Sequence, residues 1–216
     1  MLTKYGYSTL GIISIIAFIF ISISFFLNNN YLKAFLIIFP TLFLLFSLYF
    51  FRDPDRTPPA KDNIVVSPAD GKVLFVKEVE DNKFINGKAK QVSIFMSPLD
   101  VHVNRIPITG KIEYLKYYSG DYIAAFEDKA SDVNERAEFG IMSKLGKIFF
   151  TQVAGFIARR IIYEIKTGDS VNIGTRFGMI KFGSRVDVVV PFEWQEKVRK
   201  DDKVKAGETI LFECNK

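Results

Sequence analysis

Two long apolar runs, residues 9–27 and 34–51, open this chain, and neither carries an acidic or basic residue at its centre. Each approaches the roughly 20 residues that a helix needs to cross a hydrocarbon core. The first run lacks a small-residue cleavage site and a second follows at once, so the pair reads as a membrane hairpin rather than a signal peptide. Asn28-Asn29-Asn30-Tyr31-Leu32-Lys33 forms the turn between them. Lys4 precedes the first span, and Arg52, Arg56 and Lys61 follow the second; only Lys33 lies between. The positive-inside rule then places both ends in the cytoplasm, at the cell (inner) membrane. Pro40 should kink the second span, which membranes tolerate.

Past the hairpin the pattern changes. Phe51-Arg52-Asp53-Pro54-Asp55-Arg56-Thr57-Pro58-Pro59 is too rich in proline for a helix and reads as an extended exit. Short apolar runs punctuated by glycine follow, at 64–66, 72–79, 91–96, 110–118, 147–153, 157–165, 178–182 and 185–190, and these read as strands. Asn86-Gly87 signals a hairpin. Residues 121–140 read as a long loop or a broken helix, with Tyr117, Tyr118 and Phe126 nearby to dip into lipid or pack on the domain. The organisation is thus a membrane anchor at 1–51, a linker at 52–63 and a β domain at 64–216. The fold class is mostly β, or α+β overall.

A short internal repeat bears on the architecture. Asp169-Ser170-Val171-Asn172-Ile173-Gly174 and Asp202-Lys203-Val204-Lys205-Ala206-Gly207 share the form Asp-x-Val-x-x-Gly. It resembles the turns of biotinyl- and lipoyl-type β-sandwiches, and implies a compact antiparallel domain with quasi-repeated hairpins.

Composition excludes several functions. One cysteine, Cys214, rules out an internal disulfide. A single histidine and a single cysteine cannot supply the usual ligands of a zinc site, so no metal is expected. The net charge of +5 serves solubility or attraction to anionic lipid heads. No nucleic-acid motif accompanies it, and no nucleic-acid partner is expected.

What remains are the residues of chemistry. Ser184 follows Gly183 just before the run Arg185-Val186-Asp187-Val188-Val189-Val190. Asp70 lies in Ser67-Pro68-Ala69-Asp70-Gly71, and His102 in Ser97-Pro98-Leu99-Asp100-Val101-His102-Val103-Asn104-Arg105. A serine after glycine, an aspartate and a histidine are the parts needed by a chain that cuts itself. Glycine there leaves the carbonyl open to attack.

Together with Phe51-Arg52-Asp53-Pro54, Gln152-Val153-Ala154-Gly155, Ala158-Arg159-Arg160-Ile161 and Phe182-Gly183-Ser184-Arg185, these segments resemble the phosphatidylserine decarboxylase family in its short, membrane-hairpin form. The resemblance implies a covalently bound pyruvoyl group made from Ser184. Ser184 Oγ would attack the Gly183 carbonyl, with His102 as base and Asp70 orienting its imidazole. β-Elimination and hydrolysis would leave chains 1–183 and 184–216 held as a heterodimer. The pyruvoyl carbonyl would then take the amine of a phospholipid substrate in the bilayer and accept the electrons left by carbon dioxide. Arg159, Arg160 and Arg105 are the candidates for substrate binding, although neighbouring strand residues face opposite ways and only one of Arg159 and Arg160 should reach a phosphate.

Two departures from the family pattern stand out. Longer members carry a second histidine where this chain has Arg105, so His102 serves two steps or another group shares them. The cleavage motif reads Phe182-Gly183-Ser184-Arg185 rather than Leu-Gly-Ser-Thr or Val-Gly-Ser-Ser. The competing expectation is a membrane-anchored, non-enzymatic scaffold or carrier with a lipoyl-like sandwich, which would need an exposed carrier lysine between residues such as methionine.

Overall fold

The computed structural model describes residues 1–121, 123, 133–155, 161–181 and 184–214. The chain divides into two compact units, Met1–Asp55 and Arg56–Lys216.

In the first unit, α1 (Tyr7–Ser24) and α2 (Asn30–Phe50) pack against each other. Asn29 ends the turn and caps α2: its Oδ1 accepts from the backbone N–H groups of Tyr31 and Leu32 at 3.0 and 3.2 Å. Helix α2 continues through Pro40. Both helices are long and apolar enough to span a bilayer, with mean hydropathies of 2.1 and 2.0 over the candidate spans.

The second unit is built of antiparallel strands. They are β1 (Ile64–Val66), β2 (Gly71–Asp81), β3 (Gly87–Met96), β4 (Val103–Arg105), β5 (Gly110–Tyr118), β6 (Arg136–Ser143) and β7 (Gly146–Val153). After these come β8 (Ile161–Tyr163), β9 (Ser170–Val171), β10 (Arg176–Ile180), β11 (Ser184–Pro191), β12 (Gln195–Glu196), β13 (Lys203–Val204) and β14 (Ile210–Glu213). One sheet has the order β13-β2-β3-β11-β7-β6-β5-β9, and two three-stranded sheets have the orders β1-β14-β12 and β4-β10-β8. A mostly β domain behind a helical N-terminus is therefore the observed class.

These orders read the same from either end once β13 is matched with β9, β2 with β5, β3 with β6 and β11 with β7. The small sheets match likewise, β1-β14-β12 with β4-β10-β8. Equivalent hydrogen bonds confirm the match. Gly174 N–H donates to Ile106 O at 2.8 Å, and Gly207 N–H to Ser67 O at 2.7 Å. Ile112 N–H donates to Asp169 O, and Val73 N–H to Asp202 O, both at 2.9 Å. The two halves also cross-link: Arg105 N–H donates to Pro68 O and Val66 N–H to Pro107 O, again at 2.9 Å. The Asp-x-Val-x-x-Gly repeat is thus the sequence trace of a pseudo-twofold domain. Its closing glycines, Gly174 and Gly207, sit at φ +77° and +76°, where an L side chain is strained.

Alternation along the strands decides what is buried. Val92, Ile94 and Met96 of β3, and Val186, Val188 and Val190 of β11, join one apolar core. Phe139 stacks on Phe150 with centroids 4.9 Å apart, and Phe177 meets both edge-on. Strand β11 is buried on both faces. Its opposite face carries Arg185, bound through Nε at 2.7 Å and Nη2 at 3.1 Å to Asp187, which also accepts from Ser93 Oγ.

The structure refines four expectations. Residues 136–140 belong to strand β6, not to a loop or helix, because Arg136 and Lys83 neutralise the buried Glu138 that breaks its apolar pattern. The strand expected at 178–182 runs instead over Arg176–Ile180, and the one expected at 157–165 is described only over Ile161–Tyr163. Asn86-Gly87 does close a hairpin, but as the end of a longer connection, with Asn86 at φ +62° and Asp81 Oδ2 accepting from Phe84 and Ile85 N–H. Phe126 lies outside the described residues.

Candidate active site

Ser184 opens β11, where it pairs with Met96 at the end of β3. It is fully buried and shares the inward parity of Val186 and Val188. Its hydroxyl lies 3.3 Å from Met96 Sδ. A thioether is a weak acceptor, so the hydroxyl is oriented but lightly held.

His102 lies between β3 and β4 and is also fully buried. Its Nδ1 is 2.9 Å from the Asp100 carbonyl oxygen. A carbonyl only accepts, which assigns the proton to Nδ1 and leaves Nε2 as the basic nitrogen. The His102 carbonyl accepts from Ile180 N–H at 3.4 Å, at the end of β10. Strand β10 ends there, and β11 begins at Ser184. The stretch 96–102 therefore meets Ile180 through the His102 carbonyl and Ser184 through Met96; Gly183 itself lies outside the described residues.

Asp70 precedes β2, between Pro68 and Gly71. A side chain at Gly71 would collide with the Phe95 carbonyl, next to Met96, so glycine is required for this close approach. The Asp70 carboxylate takes Arg56 Nη2 on Oδ2 at 3.0 Å and Ala206 N–H on Oδ1 at 2.8 Å. Thr109 does the equivalent work in the other half, accepting from Ile173 N–H at 3.0 Å. The backbone bond of Asp70 is thus part of the repeated framework, while its ion pair with Arg56 is an addition.

Arg105 is 4% exposed, and its Nη1 donates to the Gly174 carbonyl at 2.9 Å. Its side chain runs beside Gly207, close enough that a Cβ there would meet Cδ at 3.0 Å. Arg159 and Arg160 lie outside the described residues.

Sequence reasoning did not single out three residues of this site. Besides Met96, at the end of the run 91–96, they are Asn104 and Gln152, both fully buried. Asn104 Nδ2 faces the Pro68 carbonyl at 3.4 Å and Met96 Sδ at 3.7 Å, and Asn104 Oδ1 accepts from Gln152 Nε2 at 2.7 Å. The signal was parity: Gln152 lies in phase with the inward Ile148 and Phe150 of β7, where an apolar residue belongs. Ser184, Met96, Asn104 and Gln152 thus form a polar end to an apolar core, and His102 joins it through the backbone.

Comparison with known proteins agrees with this arrangement. A model of the family described as phosphatidylserine decarboxylase matches residues 43–212. A protein of Chlorobium limicola is 49% identical over 211 residues, covering 98% of this chain and 99% of its own. One of Salinibacter ruber is 50% identical over 171 residues, covering 78% and 75%. Both carry the name phosphatidylserine decarboxylase proenzyme. These matches define the chain as a carbon–carbon lyase. The chain belongs to the phosphatidylserine decarboxylase family.

Proposed function

We propose that this chain is a proenzyme that cuts itself at Gly183-Ser184 and then converts phosphatidylserine to phosphatidylethanolamine and carbon dioxide. The observation that carries the reading is the burial of Ser184 at the start of a central strand, beside the histidine loop. Burial strips water from the hydroxyl and from the ester it would form, which suppresses hydrolysis of that ester before elimination.

His102 is the base that takes the Ser184 proton, through Nε2, because Nδ1 is engaged by Asp100. Asp70, held by Arg56 and Ala206, is the anion that would favour the imidazolium through its charge, since both ring nitrogens are committed elsewhere. The residues present fit a pyruvoyl group at position 184: the strand fixes its backbone, and Asn104 and Gln152 line the same buried end. Such a group supplies an electrophilic carbonyl that binds the substrate amine and draws off electrons as carbon dioxide leaves. His102 then returns a proton to the product carbon. Arg159, Arg160 and Arg105 remain the candidates for the lipid phosphate.

Both apolar helices would hold the enzyme in the bilayer with its substrate, at the inner membrane. The placement of Lys4, Arg52, Arg56 and Lys61 favours a cytoplasmic catalytic unit. The mature form is a heterodimer of 1–183 and 184–216. A carrier role is disfavoured, because no lysine sits between methionines at either repeated turn.

Intact mass of the purified protein, beside Ser184→Ala, tests the reading. Two species split after Gly183, with the variant uncut, are expected. A single wild-type chain from native membranes would overturn it.

A further inference from the structure

Gln152 has one amide atom in use and one idle. The Pro68 carbonyl fixes the Asn104 amide with Nδ2 toward it, so Asn104 presents Oδ1 to Gln152. Gln152 must therefore donate through Nε2, which turns its own carbonyl oxygen, Oε1, away. That oxygen is buried and meets no donor among the described residues. Its register neighbours, Ala137 on β6 and Val186 on β11, are apolar and supply none. A buried acceptor without a donor is costly, and native sites rarely keep one without a use.

The place of Gln152 in the site suggests the use. Gln152 reaches Ser184 through only two side chains, Asn104 and Met96. A phosphatidylserine head group offers a carboxylate and a phosphodiester, which accept hydrogen bonds, and one amine, which donates them. Only the amine complements an orphan acceptor. We propose that Gln152 Oε1 receives the amine of the substrate head group and orients it toward residue 184. This rests on the function proposed above.

An amide suits the task better than a carboxylate. The amine must lose its proton before it can attack a carbonyl. A carboxylate would favour the charged ammonium and raise its pKa, whereas a neutral acceptor orients the amine without that effect. Gln152 is thus a specificity-determining residue, distinct from the base His102.

The test is equilibrium binding of two short-chain phospholipids to the full-length protein. An ethanolamine head has three N–H donors; a choline head has the same charge and none. Wild type is expected to bind the ethanolamine lipid about tenfold tighter or more. Gln152→Met keeps the volume and removes the acceptor together with the donor to Asn104 Oδ1; it should bring the two affinities within about twofold. Equal binding by wild type, or an undiminished preference in Gln152→Met, would overturn the proposal. Gln152→Glu separates a role in folding from one in recognition. It should keep the head-group preference and move the acid limb of kcat/KM to higher pH by about one unit; an unmoved limb counts against the proposal. Head-group preference is read by binding and cleavage by mass, so failure of the cut and failure of this proposal are told apart.

Discussion

Ser184 Oγ and Met96 Sδ stand 3.3 Å apart across the β3–β11 ladder, a buried hydroxyl oriented by a sulfur. Met96→Leu removes the acceptor while nearly conserving volume, so the fold should lose less than about 1.5 kcal/mol. Self-cleavage should slow by several-fold rather than stop, because the thioether orients the hydroxyl but does not deprotonate it. A time course of intact mass after cell-free synthesis reads this directly. An unchanged rate would show that the sulfur has no part in alignment.

Arg105 offers a choice between substrate binding and framework. Its guanidinium is buried on the Gly174 carbonyl. If that contact dominates, Arg105→Ala should destabilise the Ser184→Ala chain by about 1.5–3 kcal/mol, the range for a charge-assisted bond. KM for phosphatidylserine in the otherwise wild-type enzyme would then change little. A rise in KM with unchanged stability would restore Arg105 to the phosphate.

The pseudo-twofold makes a paired prediction. Gly174→Ala and Gly207→Ala should each cost about 1–2 kcal/mol, since both positions are left-handed. Gly174→Ala should cost more, because its Cβ would also strike the Pro58 ring. Denaturant unfolding of the uncut Ser184→Ala chain measures both.

Glu196 shows how acid should act on the sheet edge. A hydrogen bond from Lys90, 2.7 Å away, holds its carboxyl below the usual 4.5. A depressed folded value means a contribution complete above the unfolded pKa and lost as pH falls through the folded one. Glu196→Gln should therefore lower stability only at neutral pH, by at most about 1 kcal/mol because the pair is partly exposed, and should match the parent in acid. A difference that persists at pH 3 would point to packing rather than charge.

Much of the fold was legible because its central strands obey simple alternation. The run Arg185-Val186-Asp187-Val188 announces a strand whatever surrounds it. β6 was missed because Glu138 breaks the apolar pattern, and its burial is made tolerable by Arg136 and by Lys83, distant in sequence. The two-residue strands β9 and β13 carry no periodic signal of their own; duplication and closing glycines define them. At the site, His102 stood out as the one histidine, and Ser184 by its place between Gly183 and the run Arg185–Val190. Asn104 and Gln152 did not, since they meet across 48 residues where one small sheet approaches the large one.

The place of β11 has a consequence for the lifetime of the enzyme. It lies between β3 and β7, hydrogen-bonded on both edges, and it begins at Ser184. A cut ahead of that residue severs the chain without freeing a piece, since release would tear open the centre of the sheet. Once unfolded, however, the two pieces no longer share a backbone, and reassembly becomes an encounter between molecules instead of the closing of a loop. Under the proposed cut, the precursor would recover from unfolding, whereas the finished enzyme would be held only by the height of its unfolding barrier.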